Sequence, residues 1–131
     1  MSGKFFVLTA VLFLFGGVQQ QSRDQVKNDV VKTCSTGDLS FIDLYFQGFV
    51  VAHIPGSNGL TSAERCRSLL KTFFNTHPAS QFILRETGMS GQNYFLIGTF
   101  HSGKRKWNMY FMLSPQNGQY QLQQIDIQDI S

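Results

Sequence analysis

The stretch TSAERCRSLLKTFFNTHP (Thr61–Pro78), followed by QFILRETGMSGQNYFLIGTFHSGKRKWNMYFMLSPQNGQYQLQQIDI (Gln81–Ile127), decides the fold. In the first segment Ala63, Cys66, Leu69, Leu70, Phe73 and Phe74 recur every three or four residues, which gathers them on one stripe of an α-helix. Thr61 and Glu64 have the spacing of a capping box, in which the two side chains satisfy free backbone donors at the helix start. His77-Pro78 ends the helix. The second segment reads as four strands: Gln81–Glu86, Asn93–His101, Lys106–Leu113 and Gln119–Ile127. Glycine-bearing turns join them, including Thr87–Gln92 and the Asn117-Gly118 hairpin signal. A helix followed by a long antiparallel meander predicts an α+β domain whose strongly bent sheet wraps the helix.

Two details of the strands refine that expectation. In the last strand Tyr120 and Leu122 share one face, whereas Ile125 and Ile127 fall on the other by simple alternation. A β-bulge produces such a phase slip, and bulges bend sheets. Tyr94-Phe95-Leu96-Ile97 and Trp107–Leu113 are apolar on both faces, although a sheet with one wet face alternates. Something is therefore expected to cover the second face, through either Trp107, Met109 and Phe111 or Asn108, Tyr110 and Met112.

Upstream, Asp24–Cys34 reads as a first helix with Val26, Val30, Val31 and Cys34 on one side. Asp38 caps a second, short helix that reaches Phe46, and Phe49–Ile54 reads as a strand ended by Pro55-Gly56 and the Asn58-Gly59 turn.

The 131 residues, 42% apolar and 15% charged, suit one globular domain. Residues 1–21 are expected to be a signal peptide: Lys4 precedes an apolar run, Phe5–Phe15, which Gly16-Gly17 close. The run is too short for a spanning helix of about 20 residues, so no transmembrane span is expected in the mature protein. That leaves 22–131 as the mature domain, exported to the periplasm or cell envelope. Removing Lys4 lowers the net charge from +3 to +2, too mild a basicity for a nucleic-acid partner. In an oxidising compartment Cys34 and Cys66 read either as a disulfide or as two buried thiols.

Two short helices, a strand, a helix ending in Leu70-Lys71-Thr72-Phe73-Phe74 and a bent meander resemble the nuclear transport factor 2-like superfamily, a cone-shaped α+β fold. More narrowly, Gly37–Ile127 resembles the family called domain of unknown function 4783. The likeness rests on Gly37-Asp38, Tyr45-Phe46, Phe73-Phe74, Tyr94-Phe95-Leu96-Ile97-Gly98-Thr99 and the closing Gln119–Ile127 strand. The resemblance implies a small exported bacterial protein with N-terminal helices packed on a strongly bent antiparallel sheet. It also implies a homodimer paired through the sheet face, or another envelope protein docked there.

The superfamily includes isomerases and dehydratases that work with an acid or base inside the cone. Such a base needs a carboxylate or imidazole facing an apolar cavity. Arg85 and Asp126 lie on strands, and Tyr94 and Tyr110 carry hydroxyl donors, so these four are the candidate pocket-lining residues. The same Arg85 and Asp126 also read as solvent-facing residues at a strand edge, and His53 as a hydrogen-bonded structural histidine. Lys104, Arg105 and Lys106, beside Trp107, are the candidate contact for an anionic surface, or else a solvated turn. His53, His77 and His101 have no metal-ligand spacing, so no metal or cofactor is expected. Gly88-Met89-Ser90-Gly91-Gln92 lacks the last glycine of a nucleophile elbow, and no catalytic residue is assigned. The expected function is a non-catalytic binding module of the bacterial cell envelope. The alternative is a small enzyme using the cone cavity for acid–base chemistry.

Overall fold

The structure, a computed structural model, describes residues 22–131, and the expected leader lies outside the described residues. The chain runs α1 (Arg23–Thr36), a 3-10 helix (Leu39–Tyr45), β1 (Phe49–Ile54), β2 (Ser57–Ser62) and α2 (Ala63–Thr76). It continues through β3 (Gln81–Ser90), β4 (Asn93–Ser102), β5 (Arg105–Gln116) and β6 (Gln119–Asp129). All six strands form one sheet in the order β2-β1-β6-β5-β4-β3. Every neighbouring pair is antiparallel except β1 with β6, which is parallel and joins the first hairpin to the end of the meander.

Local chemistry sets the helix ends. Ser22 caps α1 by accepting from the Gln25 amide, and Gly37, at φ 78°, takes the left-handed turn that closes it. The buried residues of α1 are Val26, Val30, Thr33 and Cys34, so Thr33 takes the inner position expected of Val31. Asp38 caps the 3-10 helix, as its spacing implied. The cap of α2 is Ser62, which accepts from the Arg65 amide, and not Thr61. Thr61 still belongs to β2, pairs with Val50 and points inward.

The expected turn at Asn58-Gly59 is instead part of β2, because Pro55-Gly56 alone reverses the chain and β1 supplies every pairing partner. Strand β3 likewise runs four residues past Glu86. Gly88 makes this continuation feasible, since a Cβ there would sit 2.6 Å from the Phe95 ring on the neighbouring strand. Asn117 and Gly118, at φ 51° and 79°, form the tight β5–β6 turn.

The phase slip in β6 is a bulge. Met112 pairs with Gln124 and Leu113 with Leu122, which leaves Gln123 without an opposite residue. That extra residue lets Tyr120, Leu122, Ile125 and Ile127 all bury on one side. A second bulge lies in β3, where pairing skips Arg85 between Leu84 and Glu86.

Both α-helices pack on the face bearing Leu96, Phe100, Trp107, Met109 and Phe111, here called the inner face. Phe73 meets the rings of Phe100 and Trp107 at 5.7 and 5.3 Å, and the Cys34 sulfur lies 3.9 Å from that of Met109. Trp107, Met109, Phe111 and Leu113 are each no more than 3% exposed, so this is the set the helices cover. Cys34 and Cys66 are buried free thiols and are not bonded to each other; the Cys34 sulfur is turned toward Met109.

Candidate functional site

The opposite, outer face of the sheet carries no helix among the described residues. Because strand partners share a face, register places its side chains in rows across the strands. One row runs Gly88, Phe95, Met112, Gln124, Val51 and Leu60. The next runs Glu86, Ile97, Tyr110, Asp126, His53 and Asn58. The first row is largely apolar, and the second has an apolar middle between polar ends. Phe95 and Tyr110 stack across the two rows with ring centres 6.4 Å apart and planes 24° apart.

The second row opens into a depression of about 430 Å³ lined by Arg85, Ile97, Asn108, Tyr110, Asp126 and Gln128, with Met109 at its base. Three of the four residues expected to line a pocket, Arg85, Tyr110 and Asp126, therefore come together. They do so on the outer face and not inside the helix-covered core. The β3 bulge turns Arg85 over β4, where its Nε donates to Thr99 Oγ1 at 2.6 Å and helps roof a threonine only 2% exposed. The half-buried Asp126 carboxylate accepts from Gln124 Nε2 at 3.1 and 3.3 Å.

Tyr94 is not part of this group. It points inward, is 5% exposed and lies 6.4 Å from the Tyr120 ring; burial pushes its phenol up from the ordinary tyrosine range. On the helix-covered side the described buried polar residues are threonines, Thr33 and Thr61, with Thr99 buried on the other face. No carboxylate, imidazole, guanidinium or ammonium group is buried in that core among the described residues.

The basic hairpin divides. Arg105 is ion-paired with Asp129 and lies 4.9 Å over the Trp107 ring, whereas Lys104 and Lys106 are exposed. Trp107 itself turns into the core, 4.5 Å from the His77 ring. His53 is exposed on the outer face, where its Nδ1 bonds to the Asn58 side-chain oxygen at 2.8 Å. A shallow cleft of about 430 Å³ at that end of the sheet brings His53, His77, Arg105 and Asp129 to one rim. No three described residues converge as a metal-ligand set.

Burial raises both thiols: Cys66 is pushed up to about 11 and Cys34 higher still, so both stay neutral and unreactive near neutral pH. No described helix is long and apolar enough to cross a membrane. Asn108, Ile97 and Gln128 complete the depression without having been placed among the pocket-lining residues from the sequence. The one signal for them was the alternation that put Asn108 in phase with Tyr110.

No curated protein matches the chain. Among solved structures, a DUF4783 family protein from Bacteroides ovatus superposes with a TM-score of 0.73 at 19% identity, covering 86% of this chain and 98% of that one. Another from Bacteroides uniformis gives 0.72 at 16% identity, over 79% and 96%. A more distant neighbour is an NTF-2 like protein of unknown function from Silicibacter pomeroyi, at 0.53 and 10% identity, over 81% and 90%. At these identities the superpositions establish the NTF2-like fold. Residues 27–128 match the model of the family described as Domain of unknown function (DUF4783), and the chain belongs to that family.

Proposed function

We propose that the protein is an exported, non-catalytic binding module of the bacterial cell envelope, which meets a second copy or another envelope protein through the outer face of its sheet. The observation that carries this reading is the outer face itself. Phe95, Ile97, Tyr110 and Met112 stand there half-exposed, beside Arg85 and Asp126, with no helix over them. Soluble monomers rarely leave such a contiguous apolar surface in water, whereas contact faces combine an apolar centre with polar margins.

The alternative, an isomerase- or dehydratase-like enzyme, needs an acid or base in the apolar interior, where burial tunes its pKa. The polar groups buried there are threonine and tyrosine hydroxyls and two neutral thiols, with no carboxylate or imidazole among the described residues, which favours the binding module. Export rests on Lys4 and the Phe5–Phe15 run.

Cell fractionation with intact-mass analysis tests the compartment. A protein recovered from the envelope fraction and beginning between Val18 and Ser22 is the expected result; full-length protein in the cytosol overturns it. In the same preparation, a photo-crosslinker at Tyr110 should capture a protein partner, and a Tyr110 that crosslinks to nothing overturns the contact face.

A further inference from the structure

The end of the sheet where α2 stops gathers all three histidines and the basic hairpin. His53 stands near the end of β1, His77 caps α2, and His101 pairs with Lys106 beside the β4–β5 turn. Lys104 and Lys106 are exposed there, and the ion pairs among the described residues, Lys27–Asp24, Arg67–Asp43 and Arg105–Asp129, include neither. Arg105 and Asp129 offset each other, so the two lysines leave this end with a surplus of positive charge.

The cleft at this end, about 430 Å³, falls within the range of small-molecule sites. Ile54, Trp107 and Ile127, each no more than 9% exposed, form its floor, and Pro55 adds to its wall. Around them stand donors without acceptors. Asn58 gives its side-chain oxygen to His53, which leaves its NH2 group free, and the Ser57 hydroxyl lines the cleft beside it. The His77 ring is held against Phe73 at 4.9 Å and Trp107 at 4.5 Å, and its nitrogens have no hydrogen-bond partner among the described residues. Arg105 donates to Asp129 through one terminal nitrogen only, with its guanidinium fixed 4.9 Å over the Trp107 ring.

The acceptors at the rim are already engaged. Asp129 accepts from the Ser131 amide at 2.9 Å through one oxygen and from Arg105 through the other. The Phe73 and Thr72 carbonyls near the end of α2 accept from the His77 amide and the Thr76 hydroxyl. Asp126 neighbours His53 across the strands but lines the outer-face depression and not this cleft.

We infer that this cleft binds a small organic anion, whose carboxylate or phosphate group is held by the donors at the rim and whose carbon body rests on the apolar floor. The site is separate from the outer-face contact and does not depend on it. An oxyanion supplies the acceptors that Asn58, His77 and Arg105 lack, and hydrogen bonds to a charged acceptor are the stronger kind. The surplus charge of Lys104 and Lys106 draws an anion toward the opening.

An NMR titration tests this. The chain has one tryptophan, so its indole N–H gives a single signal from the cleft floor. Benzoate and phenyl phosphate should shift it saturably, with dissociation constants of about 1 mM or below. The tighter of the two names the acid group. Acetate and inorganic phosphate lack the body and benzyl alcohol lacks the charge, so each should bind about tenfold more weakly.

Arg105→Gln should weaken binding by about tenfold. Asp129→Asn removes the one carboxylate at the rim while keeping an oxygen for Arg105, and should tighten binding by about threefold. A damaged fold does not produce a gain. Where Arg105→Gln unfolds the domain in a thermal melt, the exposed pair Lys104→Gln/Lys106→Gln carries the test, through a loss that fades at high salt. The inference is overturned by no saturable shift from either phenyl anion, or by benzyl alcohol binding as tightly as benzoate. Acetate or phosphate matching its phenyl counterpart, or an Asp129→Asn that fails to tighten binding, overturns it equally.

Discussion

Replacing Phe73 by alanine probes the packing on which the fold depends. Phe73 is 4% exposed and sits where α2 meets the inner face of the sheet. Its ring lies 5.6 Å from Phe74, 4.9 Å from His77, 5.7 Å from Phe100 and 5.3 Å from Trp107. Truncating a buried phenylalanine costs about 3–5 kcal/mol, the sum of lost transfer energy and the cavity left behind. The upper half of that range applies where neighbours cannot collapse into the gap. Three of the four neighbours are bulky aromatics, and Phe100 and Trp107 are fixed to adjacent strands by backbone pairing. We therefore expect a loss of about 4 kcal/mol, a large share of the 5–15 kcal/mol that holds most domains together. Urea melts followed by circular dichroism should show a lower midpoint with an unchanged slope. For a domain of this size the thermal midpoint should fall by roughly 16 °C or more. A loss below about 1 kcal/mol would refute the placement of the α2 stripe against β4 and β5.

Gly98→Ala should destabilise by about 1–3 kcal/mol, because the added Cβ would lie 2.2 Å from Phe82 Cζ and 2.9 Å from the Ile83 carbonyl oxygen. Thermal melts of this variant with and without Phe82→Ala should show partial recovery in the double variant; a neutral Gly98→Ala would contradict the close approach of β3 and β4. Cys34 and Cys66 should resist a thiol reagent until the protein is unfolded, and reductant should leave the native mass unchanged. The raised thiol pKa values also fix the sign of a pH effect. Above the unfolded value near 9 the folded state holds more protons, so stability is full below that pH and falls above it, with Cys66 still contributing to the fall up to about pH 11. Urea melts across that window should show the decline, and it should shrink in Cys66→Ala.

The helix-then-meander order was legible because its signals are periodic and long. The α2 stripe buries Ala63, Cys66, Leu70, Phe73 and Phe74, and the broken alternation in β6 correctly announced a bulge. Strand β2 was not legible. Ser57–Ser62 is polar and contains glycine, and it is a strand because β1 offers a full ladder, not through its own propensity. The cap of α2 was displaced by one residue because Thr61 and Ser62 both carry a hydroxyl, and only backbone position decides which reaches the first turn. The candidate site was half legible. Arg85, Tyr110 and Asp126 were identifiable as residue types on strands, but both alternation sets of β5 are apolar enough to be buried. Only the helix contacts at Trp107 and Met109 decide that Tyr110 faces out. Tyr94 was grouped with them because one strand contributes to both faces, and hydroxyl chemistry does not say which.

The unpaired Gln123 has a consequence for how this protein can change. Strand β6 holds two reading frames of opposite parity, and that one residue is the splice between them. Deleting it would let the two frames run on as one unbroken alternation, with Tyr120, Leu122, Ile125 and Ile127 still inward and Gln124, Asp126 and Gln128 still outward, but β6 would lose the bulge and the local bend and twist that go with it. Pairing Gln123 in the ladder at full length would do the opposite: Gln124, Asp126 and Gln128 would turn toward Met109 and Phe111 while Ile125 and Ile127 moved into water. Asp126 therefore owes its place on the outer face to a skipped residue and not to its own polarity. Along this strand the extra residue sets the curvature of the sheet, while the faces are written in the residues around it.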